Sequence, residues 1–426
     1  MASSVFLIVM ITLIVVAAGM PRVQRAEASG IIYIRANGSV YPSTAPVSTF
    51  DNITYTLTDS IGSVVVERDN IAIDGAGYAV RGKGIGSGPG VFLSERNNVK
   101  IINTKIEEFD VGLVLDYSWD NVITRNEITD NEYGVQFQYS SGNIISQNNI
   151  VDNDFGIGFG FLSNNNTVFG NTIAGNYDGF WLRYSSSNEI FANNMTGNEG
   201  YSIGLYYSSN NSIYHNNFVS NRQIYVEGSV NIWDHGYPSG GNYWSDYAGV
   251  DAKSGIHQNE TGIDGIGDTA YEQDNYPLMG ISSSFMVETP PFGSNKTYEI
   301  DVVSNSSVSD FGMYAWLTSP NKYIQAGQLY IGFTTSGENS TAGFCRMTIP
   351  NAVLNGTSYT VLVNLNPVNA TILPGSNGTD TYLYFTYNHS AHEVIIIPEF
   401  PTYAILTLSI IATLLTVTVY KRKHQK

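Results

Sequence analysis

The sequence predicts an all-β protein organised around a right-handed parallel β-helix. A phrase such as Asn121-Val-Ile-Thr-Arg-Asn-Glu-Ile128 occurs in five copies, and its apolar residues alternate as they do in a strand. The central asparagines of the copies are spaced 22 or 23 residues apart: Asn126, Asn148, Asn171, Asn193 and Asn216. A fixed period of this length indicates a repeat architecture in which each copy forms one coil.

The other columns of the repeat predict three short strands per coil. After the asparagine phrase, each repeat has a short glycine-containing segment followed by alternating apolar residues. An aromatic residue then ends the repeat, and these residues form a column: Tyr117, Tyr139, Phe161, Tyr184 and Tyr207. Coils of this kind stack about 4.8 Å apart. Asparagines buried at the corners can then pass hydrogen bonds from coil to coil. A leucine-rich-repeat horseshoe has a similar period, but its leucine consensus and helical segment are missing.

These repeats and their flanks resemble the NosD-type family of β-helices, also called carbohydrate-binding and sugar-hydrolase (CASH) domains. Val66–Gly77 is similar to the opening coil of that family, and Gly241–Tyr247 with Asp274–Leu278 is similar to its closing segment. The resemblance covers about residues 30 to 280. It implies the β-helix fold but no single activity, because members are said to include copper-site accessory proteins, sugar binders and surface proteins.

Composition narrows the possible functions. The 426 residues carry a formal net charge of −17 with only 20 Lys and Arg, which argues against nucleic-acid binding. A single cysteine, Cys345, excludes an intramolecular disulfide framework. A long solenoid core can supply the stability of an exported protein instead.

The N-terminal segment is predicted to direct export. Residues 1–28 contain the short apolar run Val5–Ala18 and end in Ala26-Glu-Ala28, which is typical of a signal peptide with a cleavage site. Arg22 and Arg25 follow the apolar run instead of preceding it, so an uncleaved anchor is the alternative. Residues 29–68 are predicted to cap the open end of the first coil.

The β-helix is expected to span residues 69–235. The glycine-rich stretch Gly82–Gly90 is interpreted as a flexible loop, since no helix follows it to form a phosphate cradle. A closing segment and linker are expected over residues 236–284. There, Asp264 and Asp268 surround two glycines, a spacing that suits a calcium loop, with an ordinary Asp-Gly turn as the alternative.

Residues 285–397 predict an immunoglobulin-like β-sandwich. Seven alternating runs are separated by turn residues: Tyr298–Val303, Met313–Leu317, Tyr323–Phe333, Phe344–Ile349, Tyr359–Leu365, Tyr382–Tyr387 and Glu393–Ile397. Seven N-glycosylation sequons in this region indicate a glycosylated exterior: Asn295, Asn305, Asn339, Asn355, Asn369, Asn377 and Asn388.

Residues 398–426 predict a membrane anchor. Tyr403–Tyr420 carries no formal charge and is just long enough to span a bilayer as a transmembrane helix. The basic tail Lys421–Lys426 would stay cytoplasmic, which places the preceding domains outside the cell. With Pro398–Pro401, this pattern resembles a PEF-CTERM-type archaeal sorting signal, which implies cleavage and re-anchoring. A permanent anchor is the alternative.

Two outward-facing sets of side chains are candidates for chemistry. The first is an array of acids in register between coils, with Asp130 and Glu132 on one coil and Asp152 and Asp154 on the next. Carboxylates about 7 Å apart within a coil suit an inverting glycosidase. A solvated acidic corner is the preferred interpretation of the array, and a cation site is a further alternative.

The second set would bind carbohydrate. It lies on the strand after the glycine column, where an indole beside planar polar groups suits a sugar ring. Its members are Gln136, Gln138, Trp181, Arg183 and Tyr206. The alternative is that Trp181 lies under a loop.

The sequence therefore predicts a cell-surface glycoprotein whose β-helix binds polysaccharide or forms part of the envelope, with calcium as the only candidate cofactor. The alternatives are a polysaccharide-cleaving hydrolase or lyase and, third, a NosD-like copper accessory protein. Copper requires clustered soft or imidazole ligands, and the coils and closing segment offer only His215, His235 and His257.

Overall fold

The computed structural model describes residues 30–220, 222–289, 296–315 and 328–399. Within these ranges the protein is all-β, and none of its elements is a helix. The described part therefore holds no helix long and apolar enough to cross a membrane. The predicted signal peptide and the predicted span Tyr403–Tyr420 lie outside these ranges.

Three parallel sheets form a β-helix of the right-handed type, and we call them faces A, B and C. Face A has nine parallel strands: Ile32–Ile34, Val64–Val66, Pro89–Ser94, Val111–Asp116, Tyr133–Gln138, Phe155–Phe159, Asp178–Arg183, Tyr201–Tyr206 and Arg222–Glu227. Face B has Thr54–Leu57, Ile71–Asp74, Val99–Ile102, Val122–Thr124, Ile144–Ser146, Thr167–Phe169, Glu189–Phe191 and Ser212–Tyr214. Face C has Ala79–Arg81, Lys105–Glu107, Glu127–Thr129, Asn149–Val151, Thr172–Ala174, Asn194–Thr196, Asn217–Val219 and Tyr243–Trp244.

The N-terminal end of the β-helix is closed by two short antiparallel strands. Val40–Tyr41 pairs with the first strand of face A, and Val47–Ser48 pairs with the first strand of face B. The parallel ladder already begins at Ile32, which pairs with Val64. The first coil therefore lies within the segment that the sequence suggested as a cap, and the two antiparallel strands cover its exposed edge.

Asparagine ladders hold the coils together, as the sequence predicts. At each corner a residue in the left-handed region, such as Gln147 with φ 56°, turns the chain and aims the next asparagine inward. Asn148 shows the pattern: its carboxamide oxygen accepts from the backbone and side-chain amides of Asn126, 3.0 Å away. Its own amide donates to Ile123 O and to Asn171 Oδ1. No polar group of this corner is left unpaired in the apolar interior.

The closing segment covers the C-terminal end of the core with aromatic rings. Trp244 stacks on Phe218 with ring centroids 4.4 Å apart, and Trp233 packs against both rings. Buried Asp274 fixes this lid, because its Oδ2 accepts from the Trp244 indole at 2.9 Å and from Asn242 N at 2.7 Å. The hairpin Lys253–Ser254 and Glu260–Thr261 belongs to the same segment.

The C-terminal domain is a sandwich of two antiparallel five-stranded sheets, as in an immunoglobulin-like architecture. One sheet contains Ile281–Glu288, Thr297–Ser304, Ala342–Pro350, Asp380–Asn388 and Ala370–Ile372. The other contains Ser307–Ala315, Leu329–Ser336, His392–Glu399, Ser358–Val363 and Asn366–Val368. The sequence predicts seven of these ten strands. It misses Ile281–Glu288 and the short strands Asn366–Val368 and Ala370–Ile372, because none of the three has a long alternation of apolar residues.

Candidate functional site

Two glycines cut a groove into the outer surface of face A. On the strand Phe155–Phe159, Gly158 occupies the outward position between Gln136 and Trp181 of the neighbouring strands. Gly160 follows directly, with its amide bonded to Phe137 O. This coil therefore presents no side chain at two successive outward positions. The strands on either side are two rungs, or about 10 Å, apart and provide the walls.

The groove encloses about 370 Å³. Gln136 and Gln138 stand on one wall, and Trp181 and Arg183 stand on the other. The remaining lining comes from the groove ends and floor: Tyr133, Phe155, Phe159, Phe161 and Asp178. Four of the five residues of the predicted carbohydrate set thus line one cavity. Tyr206 does not line it but lies next to it, with its ring 6.0 Å from the Arg183 guanidinium.

The Trp181 indole lies on backbone instead of under a loop. It rests on Gly204, where an added Cβ would approach the fused ring atoms to 2.7 Å. Tyr201 and Tyr225 support the ring at centroid distances of 6.3 and 5.5 Å. The indole Nε1 is buried and has no hydrogen-bond partner in the part of the chain that the structure describes. A glycine and two tyrosines therefore fix the orientation of the ring at the groove wall.

Several groove residues are not part of the predicted set. Tyr133 and Phe155 stack at 4.7 Å and form one end of the groove. Asp178 is buried and accepts a hydrogen bond from Tyr201 N. The most important residue missing from the predicted set is Gly158. A glycine between Gln136 and Trp181 in the outward column indicates a gap in the surface. Register alone could have found it.

The acid array is exposed, and two of its four members border a cavity. Asp152 and Asp154 line a shallow depression of about 580 Å³ together with Tyr177 and Glu199. Asp130 and Glu132 lie one coil away and do not line it. Phe155 borders both this depression and the groove, so the two cavities are adjacent. Within the same acid columns, Asp110 accepts hydrogen bonds from Gly86 N and Gly88 N and thereby holds the glycine-rich loop.

Asp264 and Asp268 bind backbone amides of their own segment. Asp264 is fully buried and accepts from Ile266 N and from the Gln258 amide, while Asp268 accepts from Ala252 N and Lys253 N. Asp251, distant in sequence, joins them by accepting from Asp264 N and Gly265 N. Burial raises the pKa of Asp251 to about 6 and also raises that of Asp264. Calcium at this position remains a prediction.

Ser239, His215 and Asp301 have the composition of a hydrolase triad but not its hydrogen bonding. Ser239 Oγ lies 3.2 Å from His215 Nε2, and Asp301 lies 3.9 Å from His215 Nδ1. However, Nε2 also lies 3.1 Å from Ser239 O, a contact that only an N–H group can satisfy. A protonated Nε2 cannot accept the serine proton, so this arrangement is structural.

The described sequons of the sandwich are all exposed: Asn305, Asn339, Asn355, Asn369, Asn377 and Asn388. Asn295 lies outside the described residues. Exposure is the condition that glycosylation requires, and the glycans themselves remain a prediction.

Comparison with known proteins gives one family match. A family model described as "Periplasmic copper-binding protein (NosD)" matches residues 53–249. No curated protein matches the chain.

Several solved structures are similar at low identity. The Dettilon tailspike protein shares 12% identity over 79% of this chain and 68% of its own, with a TM-score of 0.33. A mutant of the periplasmic alginate epimerase AlgG shares 16% over 51% of this chain and 71% of its own, with a TM-score of 0.28. A capsular polysaccharide depolymerase tailspike from Acinetobacter baumannii bacteriophage Fri1 shares 8% over 82% and 69%, with a TM-score of 0.27. With TM-scores below 0.5, these similarities carry no argument about this chain.

The copper chemistry named by the family model does not fit the described residues. His215 and His235 both approach the Ser239 hydroxyl, at 3.2 and 3.1 Å. In the ranges that the structure describes, no group of three His, Cys, Asp or Glu side chains could hold a metal ion. The only cysteine, Cys345, is buried in the sandwich core.

Proposed function

We propose that the β-helix binds polysaccharide in the groove of face A. One observation carries the proposal: Gly158 and Gly160 open a cleft whose walls present an indole, two carboxamides and a guanidinium. A sugar ring has apolar C–H faces and a periphery of hydroxyls. An aromatic ring with planar hydrogen-bonding groups beside it suits both parts.

The extended course of the groove favours a polymer over a single small molecule. The cleft follows the strand direction between the two walls, from Tyr133 and Phe155 to Phe161. A chain of sugars can therefore lie along face A with aromatic rings at both ends of the groove. The supported indole needs little reordering on binding, which reduces the entropic cost of association.

Trp181→Ala tests the proposal. We expect affinity electrophoresis in polysaccharide gels to show at least about tenfold weaker binding, because the stacking platform is lost. Trp119→Ala is the matched control, since Trp119 is an exposed tryptophan of the β-helix that lies outside the groove. Equal binding by wild type and Trp181→Ala on every polymer that the protein retains would contradict the proposal.

A second candidate function is polysaccharide cleavage. The depression with Asp152, Asp154 and Glu199 adjoins the groove at Phe155, so a bound chain could reach carboxylates there. Asp154→Asn should then abolish the release of reducing ends while binding and melting temperature stay unchanged. Release of reducing ends that is unaffected by Asp154→Asn and Asp152→Asn would contradict this assignment.

We also propose that the groove faces the cell exterior on an anchored glycoprotein. The exposed sequons of the sandwich and the apolar segment before Lys421 support this placement. Glycopeptide mass spectrometry of native protein should detect glycans between Asn305 and Asn388. Finding all of these sites bare would contradict the glycoprotein assignment.

A further inference from the structure

Arg183 is an exposed cation that has no acidic partner among the described residues of a strongly acidic protein. The chain has 37 Asp and Glu against 20 Lys and Arg. Other arginines of the β-helix, such as Arg35, Arg81 and Arg96, form ion pairs with carboxylates. No carboxylate among the described residues lies within ion-pair distance of Arg183.

The acids closest to Arg183 in the strand register are held by other groups. Asp178, at the start of the same strand, accepts a hydrogen bond from Tyr201 N. Tyr206 pairs with Arg183 on the next coil, and Glu227 pairs with Tyr206 on the coil after that. The Glu227 carboxylate accepts a hydrogen bond from the Tyr225 hydroxyl. The guanidinium instead lies over the Tyr206 ring at 6.0 Å, which orders it without neutralising it. Five N–H donors thus remain at the groove wall.

We infer that the groove selects an acidic polysaccharide and that Arg183 binds the carboxylate of a uronic acid residue. The inference rests on the proposed binding function and adds the class of sugar. Arg183 lies two residues beyond Trp181 on one strand, about 7 Å along it, so one sugar unit can contact both side chains. A guanidinium binds a carboxylate through two parallel hydrogen bonds, and Gln138 across the groove can donate to a neighbouring hydroxyl.

The acidic net charge of the protein does not prevent this recognition. At physiological ionic strength charges separated by more than about 8 Å are largely screened, so the local groups decide. Arg222 is the first residue of the last strand of face A. Its guanidinium lies over the Tyr201 ring at 5.8 Å and adds a second cation on this surface. The exposed acids Asp152 and Asp154 lie around the corner beyond Phe155.

The test compares two polymers that differ only in the carboxylate. Full-length protein is run by affinity electrophoresis in gels containing polygalacturonate or its carboxyl-reduced, neutral form. We expect about tenfold stronger retardation by the polyuronate, and Arg183→Gln should remove that preference. Arg183→Lys should restore part of it. The matched control is Arg125→Gln, because Arg125 is exposed and contacts Gln147 on another corner.

The outcomes separate this inference from the proposed function. Equal affinity for both polymers, or an equal loss for both in Arg183→Gln, would overturn the assignment of Arg183 to a carboxylate. In that case a loss of binding in Trp181→Ala would still support the groove as a polysaccharide site. Absence of binding to either polymer and to neutral glycans would overturn both.

Discussion

At the scale of single residues, buried carboxyl groups hold together the closing segment at the C-terminal end of the β-helix. Asp274 lies beneath the aromatic lid and accepts hydrogen bonds from the Trp244 indole and from two backbone amides. Burial outweighs these bonds and raises the pKa of Asp274 to about 7. Asp251 shifts in the same direction, to about 6. The closing segment therefore contains carboxyl groups that bind protons more tightly in the folded state than in the unfolded chain.

These shifts predict that stability decreases as pH rises from about 4 to about 7. The ordinary pKa of an aspartate is 3.8, so between 3.8 and about 7 the unfolded chain has lost a proton that folded Asp274 retains. The contribution of Asp274 to folding stability is thus fully present below pH 3.8 and is lost as the pH rises through about 7. Urea unfolding of Asp274→Asn across this range should show a smaller pH dependence than wild type. The same slope in both proteins would contradict the prediction.

At the scale of the element, the asparagine ladder is the part of the fold that sequence predicts best. Asn126, Asn148 and Asn171 recur at a fixed period, and the structure places them one above another with bonds of 3.0 Å. The groove was only partly predictable. Register turned Gln136 and Trp181 outward correctly, but the cleft between them depends on the side chain that Gly158 lacks.

Asn148→Ala should be strongly destabilising. The change leaves the buried backbone amide of Asn126 without its partner and removes one hydrogen bond each from the Asn126 side-chain amide and from Ile123 O. Each such loss costs about 1–3 kcal/mol, so we expect the free energy of unfolding to fall by at least about 3 kcal/mol. Asn149→Ala is the control, because the neighbouring Asn149 is exposed, and it should change stability by less than about 0.5 kcal/mol. Similar effects of both changes in chemical denaturation would refute a structural role for the ladder.

At the scale of the whole molecule, contacts between distant segments join the β-helix to the sandwich. Asn217 on face C exchanges two 2.8 Å hydrogen bonds with the backbone of Ser282. Arg346 of the sandwich is fully buried and donates to Ser239 O of the closing segment. Sequence reasoning could not find these contacts. The repeat predicts only partners in neighbouring coils, whereas the two contacts join residues that are 65 or more positions apart in the chain.

This junction predicts that the two domains unfold as one cooperative unit. Asn217→Ala removes both bonds and leaves the buried amide and carbonyl of Ser282 unpaired, so the interface should weaken while both cores stay intact. Scanning calorimetry should then resolve two transitions where wild type shows one. Asn194→Ala is the matched control, since Asn194 occupies the same column one coil earlier and has no hydrogen bond to the described residues of the sandwich. A single transition at an unchanged melting temperature in Asn217→Ala would show that the coupling passes through other residues, of which buried Arg346 is the next to change.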